Sequence, residues 1–191
     1  GAKLVAIHDI NPTKAQDLLY VSKLDGVVVE NSWQSVVTRN DVDIVIVATM
    51  HNSLFDVAMG AIKAGKHVLI EKPVARTIEQ VQQLKEAAVD AGVLVRVGFN
   101  HRYHPAVVKA KKMVDDGALG ELMYMRARYG HGGRIGYDRE WRADPTLAAG
   151  GELVEQGIHI VDLAHYFMGD FTTVSGEAHT YYWNQVLDRS E

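Results

Sequence analysis

The sequence predicts an α/β fold, a parallel sheet wound with helices on both faces, followed by an incomplete α+β unit whose sheet is open and mostly antiparallel. Three observations carry this expectation. Short apolar or β-branched runs alternate with helical stretches from Lys3 to Val97, and strands that alternate with helices of that length build parallel sheets. Asp43-Ile-Val-Ile-Val-Ala48 is apolar at consecutive positions and so on both faces, as buried parallel strands are. After Gly98 the alternation stops and a different order of elements begins.

Taken in order, Lys3 to His8 reads as a strand ending in Asp9, and Asn11-Pro12 supplies an N-cap with proline at the first helical position, opening a helix to about Leu24. Val27 to Glu30 is a second strand, Ser32 to Arg39 a short helix, and Asp43 to Ala48 a third strand. A helix from about Asn52 to Ala64 stops at Gly65, and His67 to Ile70 is the next strand. Thr77-x-x-Gln80 is a capping box that starts a helix running to Gly92, and Val93 to Val97 is the fifth strand. Beyond Gly98 come a helix from Pro105 to Asp116, the Gly117-x-x-Gly120 punctuation, a long strand from Glu121 to Tyr129, a Gly-rich loop, a long helix from Gly150 to Met168, and another strand. The boundary lies between 98 and 120, and the chain divides into 1–98 and 99–191. The stretch from Trp183 to Glu191 carries no finishing element, and the chain enters its first strand directly from Gly1. Both ends read as those of an excised piece.

Composition narrows the function. With 47% hydrophobic and 23% charged residues, the chain is too apolar for a disordered one. Twenty Lys and Arg against 24 Asp and Glu give a net charge of -4. That leaves no broad cationic surface for nucleic acid or an anionic membrane, and favours a small-molecule partner. The absence of cysteine excludes disulfides, thiolate metal sites and a cysteine nucleophile, and fits a reducing compartment such as the cytoplasm. Apolar runs such as Ile44 to Ala48 are too short to span a bilayer.

Asp9 closes the first strand. An acid at the carboxyl end of an early strand in a βαβ unit is where a dinucleotide fold holds the adenosine ribose, and its charge repels a 2′-phosphate, favouring NAD over NADP. It serves equally to turn the chain into Asn11-Pro12. The glycine fingerprint that sits roughly 20 residues before such an acid has no counterpart here, and Gly130, Gly132, Gly133 and Gly136 miss its spacing. Without that loop, the chain as given is expected to bind cofactor weakly or not at all.

Glu71-Lys72-Pro73 ends the fourth strand at the edge where open α/β sheets bind ligands. A lysine held there polarises a substrate oxygen; as a tripeptide alone, the motif is also an ordinary charged turn, and Pro73 is a candidate for a cis bond. The helix from Gly150 to Met168 is apolar around most of its circumference, which predicts burial, yet Glu155, His159 and Asp162 share one face at i, i+4 and i+7. A carboxylate and an imidazole so placed suit proton exchange near neutral pH, with Glu155 orienting the ring. A metal reading of Glu155 and His159 lacks an H-E-x-x-H pattern and a second ligand pair. Arg102, in Asn100-His-Arg-Tyr-His-Pro105, could bind a hydroxyl or carboxylate. Arg134, Tyr137, Trp141 and Arg142 form an aromatic and cationic stretch suited to stacking on a sugar or nicotinamide, or to a loop pinned by Trp141.

Asp9 after a strand, Ala48-Thr-Met-His-Asn52, Glu71-Lys-Pro73, Arg102-x-x-Pro105, Gly117-x-x-Gly120 and the Gly150-Gly151 helix with Gly157, His159 and Asp162 follow one another in a telling order. The set resembles the glucose-fructose oxidoreductase, inositol dehydrogenase and rhizopine catabolism (Gfo/Idh/MocA) family of NAD(P)-dependent oxidoreductases, over nearly the whole chain. The resemblance implies a partial Rossmann domain over 1–98, lacking its first strand and glycine loop, and a partial substrate-binding and dimerisation domain over 99–191. It implies Lys72 and His159 as the catalytic pair, with Glu155 where the family usually has Asp. Cofactor contacts would come from Asp9, Thr49, His51, Asn52, Glu71, Lys72, Trp141 and Arg142, and substrate contacts from Arg102, Tyr137, Glu155 and His159. The implied activity is hydride transfer between NAD, with NADP disfavoured, and a carbon of a sugar, cyclitol or nucleotide sugar, in a cytoplasmic homo-oligomer without a metal. A ligand sensor on the same fold, and a metal-dependent hydrolase or lyase using Glu155 and His159, are the alternatives.

Overall fold

The strand and helix alternation that the sequence predicts is the pattern the chain adopts from Ala6 onward. A computed structural model describes residues 1–130, 135–177 and 179. Two compact units divide it, one from Gly1 to Gly98 and a second beginning at Phe99.

In the first unit the elements run β1 (Ala6–Ile7), α1 (Pro12–Ser22), β2 (Val28–Val29), α2 (Trp33–Val37), β3 (Ile44–Val47), α3 (His51–Lys63), β4 (His67–Ile70), α4 (Ile78–Ala91) and β5 (Val95–Val97). Local chemistry sets the boundaries. The Asn11 side chain accepts from Thr13 N at 3.1 Å with Pro12 just inside α1, Ser32 caps α2 through Ser35 N at 3.1 Å, and Thr77 caps α4 through Gln80 N at 3.2 Å. The Gln80 side chain reaches back one residue further than a standard capping box, to Arg76 N at 3.0 Å. Gly92 takes φ +64 at the end of α4, a left-handed angle that favours glycine.

Among the described residues all strand pairs are parallel, but they form two ladders: β1 with β2, and β3-β4-β5 in that order. The core lies on one face of the second ladder, where Val45, Val47, Val68 and Ile70 meet Leu54, Ala58, Ala61 and Ile62 of α3 and Leu84 and Ala88 of α4. Gly60 lets the Trp33 ring lie against α3, since a Cβ there would overlap the ring. The other face differs from the expectation. Ile44 and Ile46 are 57% and 67% exposed, so β3 is buried on one side and bare on the other. An apolar run specifies that a strand can be covered twice; cover also needs an element on each face, and among the described residues α3 and α4 supply one.

The second unit contains a 3-10 turn (Asn100–Tyr103), α5 (Pro105–Asp115), 3-10 turns at Tyr137–Arg139 and Trp141–Ala143, a π-helical turn (Leu153–Gly157) and α6 (Ile158–Met168). His104 caps α5 through Ala106 N at 3.3 Å, and Lys111 with Asp115 and Lys112 with Asp116 pair along its outside. The expected strand from Glu121 to Tyr129, and with it the antiparallel sheet, is not formed among the described residues: the segment is mostly exposed and has no ladder partner among them. A strand exists through inter-strand hydrogen bonds, and alternation in sequence supplies none by itself. Arg134, Gly132 and Gly133, and the stretch from Trp183 to Glu191, lie outside the described residues, as does part of the region expected to hold the last strand.

Candidate functional site

In parallel α/β sheets, the ends where strands give way to helices gather loops and helix N-termini into ligand sites. Asp9 follows β1 at such an end. Its Oδ1 accepts from Asn11 N at 2.8 Å, the turn-forming role, which leaves Oδ2 to accept from a ligand. Both readings of this residue are therefore compatible. Asp9 also lines a cleft of about 350 Å³ together with His8, Ile10, Val29, Asn31 and Ser32. His8 Nδ1 lies 3.0 Å from Glu30 O and ties the two strand ends together. Asn31 and Ser32 were not foreseen as site residues. Their signal was present in the sequence, for they follow a strand at the same sheet edge, but Ser32 reads first as a helix cap.

At the end of β3, Thr49 is exposed and its Oγ1 donates to Met50 O at 3.2 Å, while His51 opens α3 buried and Asn52 beside it is exposed. Lys72 follows β4, half-buried, and the Lys72-Pro73 bond is cis. Lys72 N donates to Glu71 Oε2 at 3.1 Å. Gly98, after β5, matters for close approach: a Cβ there would come within 3.3 Å of Glu71 Oε1, so a bare Cα lets the carboxylate settle against the neighbouring strand end.

The second unit holds a buried polar cluster. Glu155, His159 and Asp162 are 6%, 5% and 8% exposed, whereas Leu153 and Val161 on the same helical stretch are 68% and 47% exposed. The ionisable face is thus satisfied internally, whereas Leu153 and Val161, expected to be buried, are exposed. The reason is electrostatic pairing: each carboxylate has a guanidinium, so the polar side can be buried without a lone charge. Arg102 lays its fork on Asp162, Nε to Oδ2 at 2.8 Å and Nη2 to Oδ1 at 2.6 Å, and its own proton is held more tightly for that bond. The same guanidinium lies 4.8 Å from the centre of the Tyr166 ring. Arg142 Nε donates to Glu155 Oε1 at 2.9 Å and stacks on Trp141 at 4.5 Å.

Arg102, expected to bind substrate, lays its fork on Asp162, and Arg142, expected to bind cofactor, donates to Glu155. Trp141 pins its loop through Arg142. Tyr137 O–H donates to Glu152 Oε2 at 3.5 Å, and burial together with the charges of Glu152 and Glu155 pushes its phenol above the ordinary value. His159 carries a partner the sequence reading passed over, the His101 ring, with centroids 4.0 Å apart and planes 22° apart. Among the described residues no group of three His, Asp or Glu side chains could hold a metal ion, and no helix is long and apolar enough to cross a membrane.

Residues 1–99 match the model described as oxidoreductase family, NAD-binding Rossmann fold, and residues 107–190 match the GFO/IDH/MocA C-terminal domain. The chain belongs to the GFO/IDH/MocA oxidoreductase family. Within it, the chain is 33% identical over 165 residues to a levoglucosan dehydrogenase of Pseudarthrobacter phenanthrenivorans, covering 80% of this chain and 40% of that protein. It is 29% identical to a scyllo-inositol 2-dehydrogenase (NAD(+)) of Bacillus subtilis, covering 92% of this chain and 49% of the relative. The chain thus spans less than half the length of these GFO/IDH/MocA relatives. A levoglucosan dehydrogenase solved in complex with NADH and levoglucosan superposes with a TM-score of 0.76 at 29% identity, over 87% of this chain and 45% of that one. The parallel ladders and their crossover helices are the Rossmann part of this family fold.

Proposed function

We propose that the protein is an NAD-dependent dehydrogenase that moves a hydride between the cofactor and a secondary carbon of a sugar, cyclitol or nucleotide sugar. The observation that carries this reading is Asp9 in the cleft beyond β1 and β2, with Lys72 at the corresponding end of β4, in a chain of this family. The cleft fits the adenosine end of a dinucleotide: a carboxylate with one uncommitted oxygen beside the polar side chains of Asn31 and Ser32 suits ribose hydroxyls and disfavours a 2′-phosphate. Further cofactor contacts are assigned to Thr49, His51, Asn52, Glu71, Lys72 and, from the second unit, Trp141 and Arg142.

When bound, the nicotinamide ring supplies the hydride chemistry. Everything else falls to the chain. Lys72 Nζ stabilises negative charge on the substrate oxygen, and a ring nitrogen of His159 takes the hydroxyl proton. Glu155, held by Arg142, fixes the turn that carries His159, and Asp162, held by Arg102, does the same one turn later. Arg102 therefore acts through Asp162, while Tyr137 is kept as a substrate contact. The relatives named for levoglucosan and scyllo-inositol support a ring polyol as substrate. A cytoplasmic homo-oligomer, associating through the second unit, completes the proposal.

The test is NAD reduction by the full-length protein with a panel of inositols, monosaccharides and anhydrosugars, for the native protein and Lys72→Met. Turnover with at least one ring polyol is expected. The substitution should lower it about 10²-fold or more while leaving NADH affinity intact, and unchanged turnover would remove Lys72 from the chemistry.

A further inference from the structure

The carboxylates one turn either side of His159 are both committed to arginines, Glu155 to Arg142 at 2.9 Å and Asp162 to Arg102 at 2.6 and 2.8 Å. The face of the His159 ring is covered by another imidazole. His101, on the 3-10 turn Asn100–Tyr103, stacks on it at 4.0 Å with planes 22° apart, and Phe99 closes the edge at 6.4 Å and 83°. His101 is itself braced by Tyr129 at 5.7 Å, whose hydroxyl donates to Gln156 Oε1 at 3.2 Å on the helical turn that precedes His159.

We propose that His101 is the positioning residue of His159: its ring fixes the plane of the His159 imidazole and, by charge repulsion, limits the stacked pair to one added proton, so that His159 remains a proton acceptor near neutral pH. The inference rests on the reading of His159 as the proton-exchanging group. A neutral imidazole stacks favourably on a neutral or a cationic one, but two imidazolium rings in face contact repel. The charged and titratable groups around the pair are Glu155 and Asp162 from its own helix, Arg102 from the turn of His101, Arg142 from the turn Trp141–Ala143, and Tyr129. Each of the two carboxylates holds a guanidinium, Glu155 that of Arg142 and Asp162 that of Arg102, and Arg142 also lies 3.7 Å from Glu140.

The experiment follows the ring signals of His159 by NMR in the chain labelled at histidine, across pH, for the native sequence, His101→Phe and His101→Gln, with His159→Gln used to assign the signal. His101→Phe keeps a flat ring and removes its charge; His101→Gln removes both and serves if the first fails to fold, which circular dichroism reports. The midpoint of His159 is expected to rise by about one pH unit in the neutral variants, and an unchanged midpoint in folded variants would overturn the proposal. Neither cofactor nor substrate is in the sample. Failure of the dehydrogenase reading would appear as absent turnover in the full-length protein with this titration unaltered, so the two failures are separable.

Discussion

Arg102 and Asp162 show how a buried charge is kept in the second unit. The Asp162 carboxylate is buried and receives two bonds from one planar fork, and the Tyr166 ring lies 4.8 Å from the guanidinium. Arg102→Met keeps the stem but strands the carboxylate, and is expected to cost about 2 kcal/mol in urea unfolding; a loss below about 0.5 kcal/mol would match an exposed pair and contradict this geometry. Tyr137 gives a second test. Its phenol is raised above the ordinary value of 10 by burial and then by Glu152 and Glu155, so its contribution is complete below that value and is lost as pH rises through the folded-state value. Native protein should therefore lose stability in the alkaline range relative to Tyr137→Phe, as measured by parallel denaturation at neutral and high pH. Legibility at this scale follows chemistry. Glu155, His159 and Asp162 were visible because ionisable groups at helical spacing stand out on an apolar helix. Their partners Arg102, Arg142 and His101 come from distant segments, and no local pattern announces which arginine takes which carboxylate.

The helices were the most legible elements because capping is local. Asn11 and Thr77 accept the expected backbone hydrogen bonds, Ser32 and His104 cap α2 and α5 in the same way, and ends follow within a residue or two. Thr77→Ala should cost about 1 kcal/mol by thermal or urea unfolding. The Glu79 carboxyl in that first turn is held below its ordinary value by its own backbone N–H and by the Thr77 side chain. Its contribution is therefore present above the ordinary carboxylate range and lost as pH falls through the folded-state value. The gap between native protein and Thr77→Ala should shrink in acid, and a gap that widened there would contradict the assignment. Strands were less legible. β4 matches its expected bounds, whereas Glu121 to Tyr129 has no ladder partner among the described residues, since pairing is a long-range property. The helix from Gly150 is expected to be buried over most of its circumference; it has a π turn at Leu153–Gly157, buries its ionisable side and leaves Leu153 and Val161 exposed, because ion pairing outweighed hydropathy in deciding which side faces inward.

For the molecule as a whole, the family was readable from the order of its motifs and the parallel α/β architecture from the alternation of strands and helices. The separation into two ladders and the bare Ile44 and Ile46 face were not, because hydropathy reports what a residue tolerates and says nothing of what covers it. The account's central claim is that the cleft beside Asp9 receives the adenosine end of NAD. Amide NMR of the full-length protein, titrated separately with NADH and NADPH, tests it most directly. The account predicts that NADH shifts the amides of Asp9, Asn31 and Ser32, that NADPH shifts them far less at equal concentration, and that Asp9→Ala removes the difference. Signals in the cleft that ignore NADH, or that respond equally to NADPH, would contradict it.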